Sequence, residues 1–249
     1  MNIVGYEKFR QHFSAYSSHY VLIGGVASVM SMAIAGAGEQ FARTTRDFDM
    51  VIIIDEINAE FQQAIWGFIR AGGYDVQSSE EIHNLYRFTN PQVAGYPVML
   101  ELFSRVPQSI KFEGQGLITP IPADDAAESL SALIMDESAY QYLRAGKTEH
   151  DEVSFIGPDR LIPLKIKAYY DIKGRGESSK KYNKHLGDVF KLTTILPVGD
   201  PEQLPQDMHS AVQQLLNDED VKQTDIVKRW GLKGYSAAEL LDVIRNRWS

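Results

Sequence analysis

The most constraining feature of the sequence is an uncharged stretch that runs from residue 20 to residue 38. It opens with the apolar run Tyr20–Ile23, which is broken by Gly24-Gly25. The stretch approaches the roughly 20 residues that a membrane-spanning helix requires, but the glycines and the polar Ser28 favour another interpretation. We therefore predict a buried strand, a tight turn and then a helix, over 20–23, 24–25 and 26–35 respectively.

A second apolar run, Phe48–Ile54, is rich in β-branched residues and predicts another strand. Asp47 and Asp49 lie at its start. The sequence contains four acidic pairs with this spacing, but only this pair follows a glycine turn and borders an apolar strand. Because alternate residues of a strand point to the same face, we expect both side chains on one face. Asp47 could instead pair with Arg43 or Arg46, or cap a turn.

A lone carboxylate, Glu101, lies in the middle of a third predicted strand, 97–104. Because its neighbours Leu100 and Leu102 are apolar, Glu101 either faces solvent on one side of a sheet or acts as a ligand. If Glu101 lay beside Asp47 and Asp49, the three carboxylates would repel one another. Mg²⁺ would compensate this repulsion, because it is a hard ion that takes oxygen ligands. Two such ions about 4 Å apart stabilise the attacking and leaving oxygens of a phosphoryl transfer. The glycine turn before a helix would expose N–H groups to a triphosphate.

The remaining patterns divide the chain into a strand-rich first part and a helical second part. Further strands are predicted over 75–77, 85–89 and 153–156, and helices over 5–17, 58–70, 124–144, 158–173, 184–196, 206–217 and 236–247. We therefore predict an α+β fold with a core domain at 1–155 and a helical C-terminal domain at 156–249.

Composition narrows the chemistry. The absence of cysteine excludes disulfides, zinc–thiolate sites and cysteine nucleophiles, and the six histidines show no metal-binding spacing. The formal net charge of −8 disfavours nucleic-acid binding through the overall field, so any such contact has to be local. The candidate for such a contact is one dense basic stretch, formed by Lys173, Arg175, Lys180, Lys181 and Lys184. The N-terminus has no signal-peptide pattern, so we expect a cytoplasmic protein.

The order of these motifs resembles a known family. The residues that carry the resemblance are Gly24, Gly25, Arg43, Thr45, Asp47, Asp49 and Glu101. They are similar to the motifs of the nucleotidyltransferase superfamily with the polymerase β-like fold, and most of all to those of the AbiEii/AbiGii toxin-like nucleotidyltransferases. The segments around Lys165 and Asp188 are similar to the lysine-bearing helix and the D-x-x-x-L helix of that family, so the resemblance covers roughly residues 20–195. It implies a mixed sheet flanked by helices, with a helical C-terminal half.

The resemblance also implies roles for individual residues. Metal binding and catalysis would fall to Asp47, Asp49 and Glu101, with Mg²⁺ or Mn²⁺ as cofactor. The nucleotide would be held by Gly24, Gly25, Ser28, Arg43, Thr45, Lys165 and Asp188. Lys167 is a rival to Lys165 as the lysine that reaches a phosphate, and Asp188 would either support that lysine or contact the nucleotide. Two departures from the family are the second glycine, where many members have serine, and a longer stretch between that glycine and the aspartates.

The function implied is transfer of a nucleoside monophosphate from a nucleoside triphosphate to an acceptor hydroxyl, with release of pyrophosphate. The resemblance further implies the toxin of a toxin–antitoxin or phage-defence pair, with an antitoxin protein as partner. The basic stretch favours tRNA as the acceptor, because it can follow a phosphate backbone. The alternatives are a small-molecule (antibiotic-type) or protein nucleotidyltransferase, a non-catalytic nucleotide-binding or antitoxin-like module, and a site that only binds a structural cation.

Overall fold

The structure, a computed structural model, describes residues 2–37, 44–76, 85–103, 136–223 and 226–248. Their contacts divide the chain into two compact units. The strand unit comprises residues 2–27 and the described residues from 44 to 156, and the helical unit comprises 28–37 and the described residues from 157 to 248.

The strand unit is built on one mixed sheet. Its strands in the described residues are β1 (Tyr20–Ile23), β2 (Asp47–Ile52), β3 (Asp75–Val76), β4 (Leu85–Thr89), β5 (Met99–Phe103), β6 (Lys147–His150) and β7 (Val153–Ile156). They lie in the order β3-β4-β5-β2-β1-β7-β6. The pairs β2/β5 and β1/β7 are parallel, and the other neighbours are antiparallel.

The helices of this unit follow from local sequence signals. They are α1 (Tyr6–Phe13), the start of α2 (Gly24–Ile34), α3 (Ala59–Gly72) and α4 (Glu137–Ala145), with 3₁₀ turns at Ser14–His19 and Ile54–Glu56. Asn58 caps α3, because its side-chain oxygen accepts a hydrogen bond of 2.8 Å from the Phe61 N–H. Gly73 ends α3 in the left-handed conformation, with φ of +63°.

An aromatic core fixes which face of the sheet is covered. The Phe48 ring on β2 lies 4.9 Å from the Phe9 ring on α1, and the Phe88 ring on β4 lies 5.7 Å from Trp66 on α3. Because side chains alternate along a strand, the residues on either side of Phe48 and Phe88 point to the opposite face. This leaves Asp47 and Asp49 on the face away from the aromatic core.

The helical unit contains the rest of α2 and the helices α5 (Pro158–Gly174), α6 (Ser179–Thr193), α7 (Gln206–Asn217), α8 (Glu219–Lys222), α9 (Ile226–Arg229) and α10 (Ala237–Trp248). Proline begins α5, a position where its missing N–H costs nothing. The helix α5 packs against α6 and α7. No helix in the described part of the chain has the length and apolarity needed to cross a bilayer.

The predicted α+β class is confirmed, while several element boundaries differ. Helix α2 begins at Gly24 rather than at 26. Helix α6 begins at Ser179 rather than at 184, because the first turns of α6 are polar and show no apolar face. Strand β6 was missed, since its sequence KTEH carries no strand pattern, and two of its four residues are exposed while the other two are half-buried. Most of the predicted helix 124–144 lies outside the described residues, apart from the end that corresponds to α4.

Candidate functional site

Three charged residues from three neighbouring strands lie in register. Asp49 of β2 is paired with Glu101 of β5, and Glu101 is paired with Arg87 of β4. Adjacent strands lie about 4.8 Å apart, and residues opposite one another share a face of the sheet. Asp47 lies two residues before Asp49 and therefore on the same face. We call Asp47, Asp49, Glu101 and Arg87 the charged row.

The glycine turn is shaped around the charged row. Gly24 has φ of +64°, and a Cβ atom placed on it would lie 1.9 Å from Oδ2 of Asp49. A Cβ atom on Gly25 would lie 2.8 Å from Oγ1 of Thr45. The two glycines therefore make room for side chains of the site, and the Asp49 carboxylate lies against the first residue of α2. The N-terminal end of a helix favours a negative charge.

The segment that leads into β2 is fixed by backbone pairing. The Val4 N–H donates to the Thr45 carbonyl (3.0 Å), and the Thr45 N–H donates to the Asn2 carbonyl (3.2 Å). The carbonyl of Arg46 accepts from the Val98 N–H at 2.9 Å. Thr45 is buried, so its hydroxyl is held beside the glycine turn. Arg43, which the resemblance assigns to the same motif, lies outside the described residues.

Glu101 is buried, with only 5% of its surface exposed, and is paired with Arg87. The Nε–H of Arg87 donates to Oε1 of Glu101 at 2.6 Å, and Nη2 of Arg87 lies 2.5 Å from the same oxygen. Sequence reasoning missed Arg87, although the signal was present, since Arg87 is a lone charge in the apolar strand LYRFT just as Glu101 is in MLELF.

The charged row offers the ligand chemistry of a hard cation, but its carboxylates are not assembled around one point. Among the described residues, no three Asp, Glu or His side chains converge closely enough to hold a metal ion. Asp47 and Asp49 supply oxygen ligands of the kind that Mg²⁺ takes. Oε1 of Glu101 is already taken by a guanidinium group. The residues therefore fit a divalent ion in chemistry, while the third carboxylate, Glu101, is engaged by Arg87.

In the helical unit, the structure distinguishes the two rival lysines. The ammonium of Lys165 lies 2.9 Å from Oδ2 of Asp188, and both residues are only 6% exposed. Lys167 pairs with Asp171 at 2.7 Å in a more open position on the same helix. Asp188 and Lys165 therefore form a buried ion pair, and which lysine reaches a phosphate stays a prediction. Ser28 lies one turn into α2 and is buried.

The basic stretch is only partly available to a partner. The ammonium of Lys173 lies 3.4 Å from Asp218, and that of Lys181 lies 2.8 Å from Glu177. Burial lowers the pKa of Lys173, but interactions with Tyr169 and Asp218 outweigh this and leave the pKa raised. The exposed side chains of the stretch belong to Arg175, Lys180, Lys181 and Lys184.

No protein-family model and no curated protein matches the sequence. Among solved structures, the chain is similar to the crystal structure of an antigenic nucleotidyltransferase-like protein from Paracoccidioides brasiliensis. The TM-score is 0.51 at 16% identity, over 98% of this chain and 94% of that chain. At this identity the likeness shows the fold, so the chain has a nucleotidyltransferase-like fold. The narrower resemblance to the AbiEii/AbiGii toxin-like branch stays a prediction.

Proposed function

We propose that this protein is a divalent-cation-dependent nucleotidyltransferase. The observation that carries the proposal is the Asp49 carboxylate lying against Gly24 at the start of α2, with Asp47 on the same face of β2. This arrangement places metal-ligand chemistry next to a helix N-terminus, where a phosphate is favoured. The nucleotidyltransferase-like fold supports the same conclusion.

In the proposed reaction, an acceptor hydroxyl oxygen bonds to the α-phosphorus of a nucleoside triphosphate as the bond to the bridging oxygen breaks. Pyrophosphate leaves, and a carboxylate of the charged row takes the hydroxyl proton. Asp47 and Asp49 would hold Mg²⁺ or Mn²⁺, which supplies neutralisation of phosphate charge. The first residues of α2, with the Thr45 hydroxyl beside them, would contact the phosphates. The resemblance assigns Lys165 to a phosphate as well, with Asp188 as the residue that orients it.

The test is binding followed by turnover. Titration with a non-hydrolysable triphosphate should give calorimetric binding with Mn²⁺ and none in EDTA. Asp47→Asn or Asp49→Asn should lower transfer by at least about a hundredfold, because each removes a ligand to the ion that stabilises transition-state charge. Stability without metal should hold or rise, since repulsion between carboxylates is relieved.

The matched control is Asp55→Asn. Asp55 is an exposed carboxylate that pairs with Arg144, outside the charged row. This variant should keep full activity. Equal nucleotide affinity in EDTA, or full turnover in both aspartate variants, would show that the site has been placed on the wrong carboxylates.

The finer proposal is a toxin that acts on tRNA and is restrained by an antitoxin protein. Its supports are the resemblance to the toxin-like branch and the exposed Lys180 and Lys184 on α6. A small-molecule or protein acceptor would show itself by where the label from an α-labelled triphosphate appears.

A second candidate is a non-catalytic nucleotide-binding module. The observation that favours it is the Arg87–Glu101 pair, which engages the third carboxylate of the charged row. Metal-dependent nucleotide binding without labelling of RNA, protein or small-molecule acceptors would support this candidate over the enzyme.

A further inference from the structure

The position of Arg87 gives the buried carboxylate of Glu101 a compensating positive charge. Glu101 is central in the sheet, between β2 and β4, and is 5% exposed. Taking an isolated carboxylate out of water costs several kcal/mol unless a partner compensates it. A second carboxylate, Asp49, is its neighbour across the parallel pair. A positive charge beside Glu101 is therefore required, and Arg87 provides it.

The geometry of the contact shows how this charge is applied. Nε and Nη2 of Arg87 both approach Oε1 of Glu101, at 2.6 and 2.5 Å. This is a close contact to a single oxygen rather than a fork that spans both carboxylate oxygens. The side chain of Arg87 is 17% exposed and that of Glu101 is 7% exposed. The guanidinium therefore lies nearer to solvent than the carboxylate that it neutralises.

We propose that Arg87 is the resident cation of the carboxylate site: it neutralises Glu101 in the free protein and is displaced when a divalent ion binds. Glu101 then joins Asp49 as a ligand only in the loaded site. The inference rests on the proposed carboxylate site and adds a residue that regulates its occupancy. It accounts for the two observations together, that the row has the ligands for an ion and that three of them do not converge.

Arg87 competes with the ion for Glu101, and its effect is electrostatic. Two positive charges that compete for one buried carboxylate repel each other strongly at low dielectric. Removing the guanidinium charge should therefore strengthen divalent-ion binding, provided that Glu101 is present to use the gain. A residue that only stabilises the sheet would not raise metal affinity when it is removed.

The experiment measures Mn²⁺ binding to the full chain by calorimetry, without nucleotide, in four variants: Arg87→Gln, Glu101→Gln, the double variant, and Arg144→Gln. Arg87→Gln should raise Mn²⁺ affinity by at least about tenfold, because a competing positive charge is gone. Glu101→Gln should lower the affinity. In the Glu101→Gln background, Arg87→Gln should change the affinity by less than about threefold. Arg144→Gln, which removes an arginine paired with Asp55, should match the wild type.

Arg87→Lys keeps the positive charge and guards against misfolding of the Gln variant. Its affinity should stay within about threefold of wild type. Unchanged or weaker Mn²⁺ binding in Arg87→Gln, an equal gain in Arg87→Lys, or a full gain without Glu101 would each overturn the inference. If Mn²⁺ binding is lost in Asp49→Asn but Arg87→Gln has no effect, the inference fails and the proposed function stands. If neither Mn²⁺ nor the Mn²⁺–triphosphate complex binds to any of these proteins, both fail.

Discussion

Gly24 is constrained twice, by its backbone angle and by a neighbouring side chain. Its φ of +64° lies in the left-handed region, and a Cβ atom would overlap the Asp49 carboxylate. Gly36 has a similar φ of +73°, but no atom of the residues that the structure describes lies within 4 Å of the Cβ that alanine would add. Comparing substitutions at Gly24 and Gly36 therefore separates the cost of backbone strain from the effect of displacing the Asp49 carboxylate.

We expect Gly36→Ala to cost about 1–2 kcal/mol of unfolding free energy, from the left-handed angle alone, and to keep Mn²⁺-dependent nucleotide binding. Gly24→Ala should cost more, because Asp49 must also move, and should lose that binding. Urea unfolding and calorimetry on both variants measure the two effects. Equal nucleotide affinity in the two variants would contradict the role given to the Gly24–Asp49 contact.

The residue scale also shows what a sequence can and cannot reveal about the site. The placement of Asp47 and Asp49 on one face follows from the alternation of side chains along a strand. Glu101 could be identified as a candidate because it is a lone charge in an apolar strand. The partner of Glu101 could not be found in this way, because pairing between β4 and β5 depends on register across the sheet. That register cannot be predicted from local sequence, so the pairing of Arg87 with Glu101 was not predicted.

Helices α5 and α6 are joined by a buried ion pair, Lys165–Asp188. Removing one partner leaves an uncompensated charge in the interior, so Asp188→Ala should cost about 3–5 kcal/mol of unfolding free energy. Replacing both at once, by Lys165→Met with Asp188→Leu, should restore most of that loss. Urea unfolding gives both values.

The matched control is Asp171→Ala, which breaks the more exposed pair with Lys167 on the same helix. It should cost less than about 1 kcal/mol. A similar loss for both single variants would mean that burial does not set the strength of the Lys165–Asp188 pair.

Asp218 connects α5 to the start of α8 and makes the stability of the protein depend on pH in the acid range. Its Oδ2 accepts from the Tyr170 hydroxyl at 2.9 Å and lies 3.4 Å from Lys173, while its Oδ1 accepts from the Asp220 N–H at 3.0 Å. Burial raises the pKa of this carboxyl, but the hydrogen bonds and the Lys173 charge outweigh burial and leave the pKa lowered. A lowered pKa means that the stabilisation is complete above the unfolded value of about 3.9 and is lost as pH falls through the folded value.

Asp218→Asn keeps the capping oxygen and removes the charge. It should lower stability at neutral pH, and its difference from wild type should shrink as pH falls below about 4. Urea unfolding as a function of pH measures this, with the exposed Asp242→Asn, whose partner Arg245 lies on the same helix, as control. A difference that is constant with pH would contradict the assigned charge effect.

At the scale of elements, the strands with strong apolar patterns were predictable, and β1, β4 and β7 have the predicted bounds. Helix α3 was also predictable, from its cap Asn58 and from Gly73. Strand β6 was not predictable, because it is formed by pairing with β7 rather than by an apolar pattern of its own. The strand order could not be predicted either, since it depends on contacts between distant segments.

The whole molecule carries a net charge of −8, so attraction to a polyanion has to come from a local surface. Of the basic stretch, Lys173 and Lys181 are already paired with carboxylates, while Lys180 and Lys184 lie exposed one turn apart on α6. An RNA acceptor would therefore meet a smaller basic surface than the sequence indicates.

We expect α-labelled triphosphate to label RNA of tRNA size. Lys180→Glu with Lys184→Glu should reduce that labelling by about tenfold, and higher salt should act in the same way, because phosphate contacts release counterions. Triphosphate affinity should stay nearly unchanged. Lys228→Glu with Lys233→Glu gives the same net charge and should label as the wild type does. Label on protein alone would move the acceptor from RNA to a side chain.

Under the proposed function, the Asp49 carboxylate at the start of α2 would make the entry of a nucleotide depend on a divalent ion. In the proposed reaction, a triphosphate is drawn to the positive end of α2, where Asp49 already lies. A nucleotide without a divalent ion would meet a like charge there and would be repelled. A divalent ion would supply the positive charge that lets the carboxylate and the phosphate lie at the same helix end. The protein should thus admit a nucleotide only together with a divalent ion, whether the nucleotide carries that ion or the carboxylates already hold it.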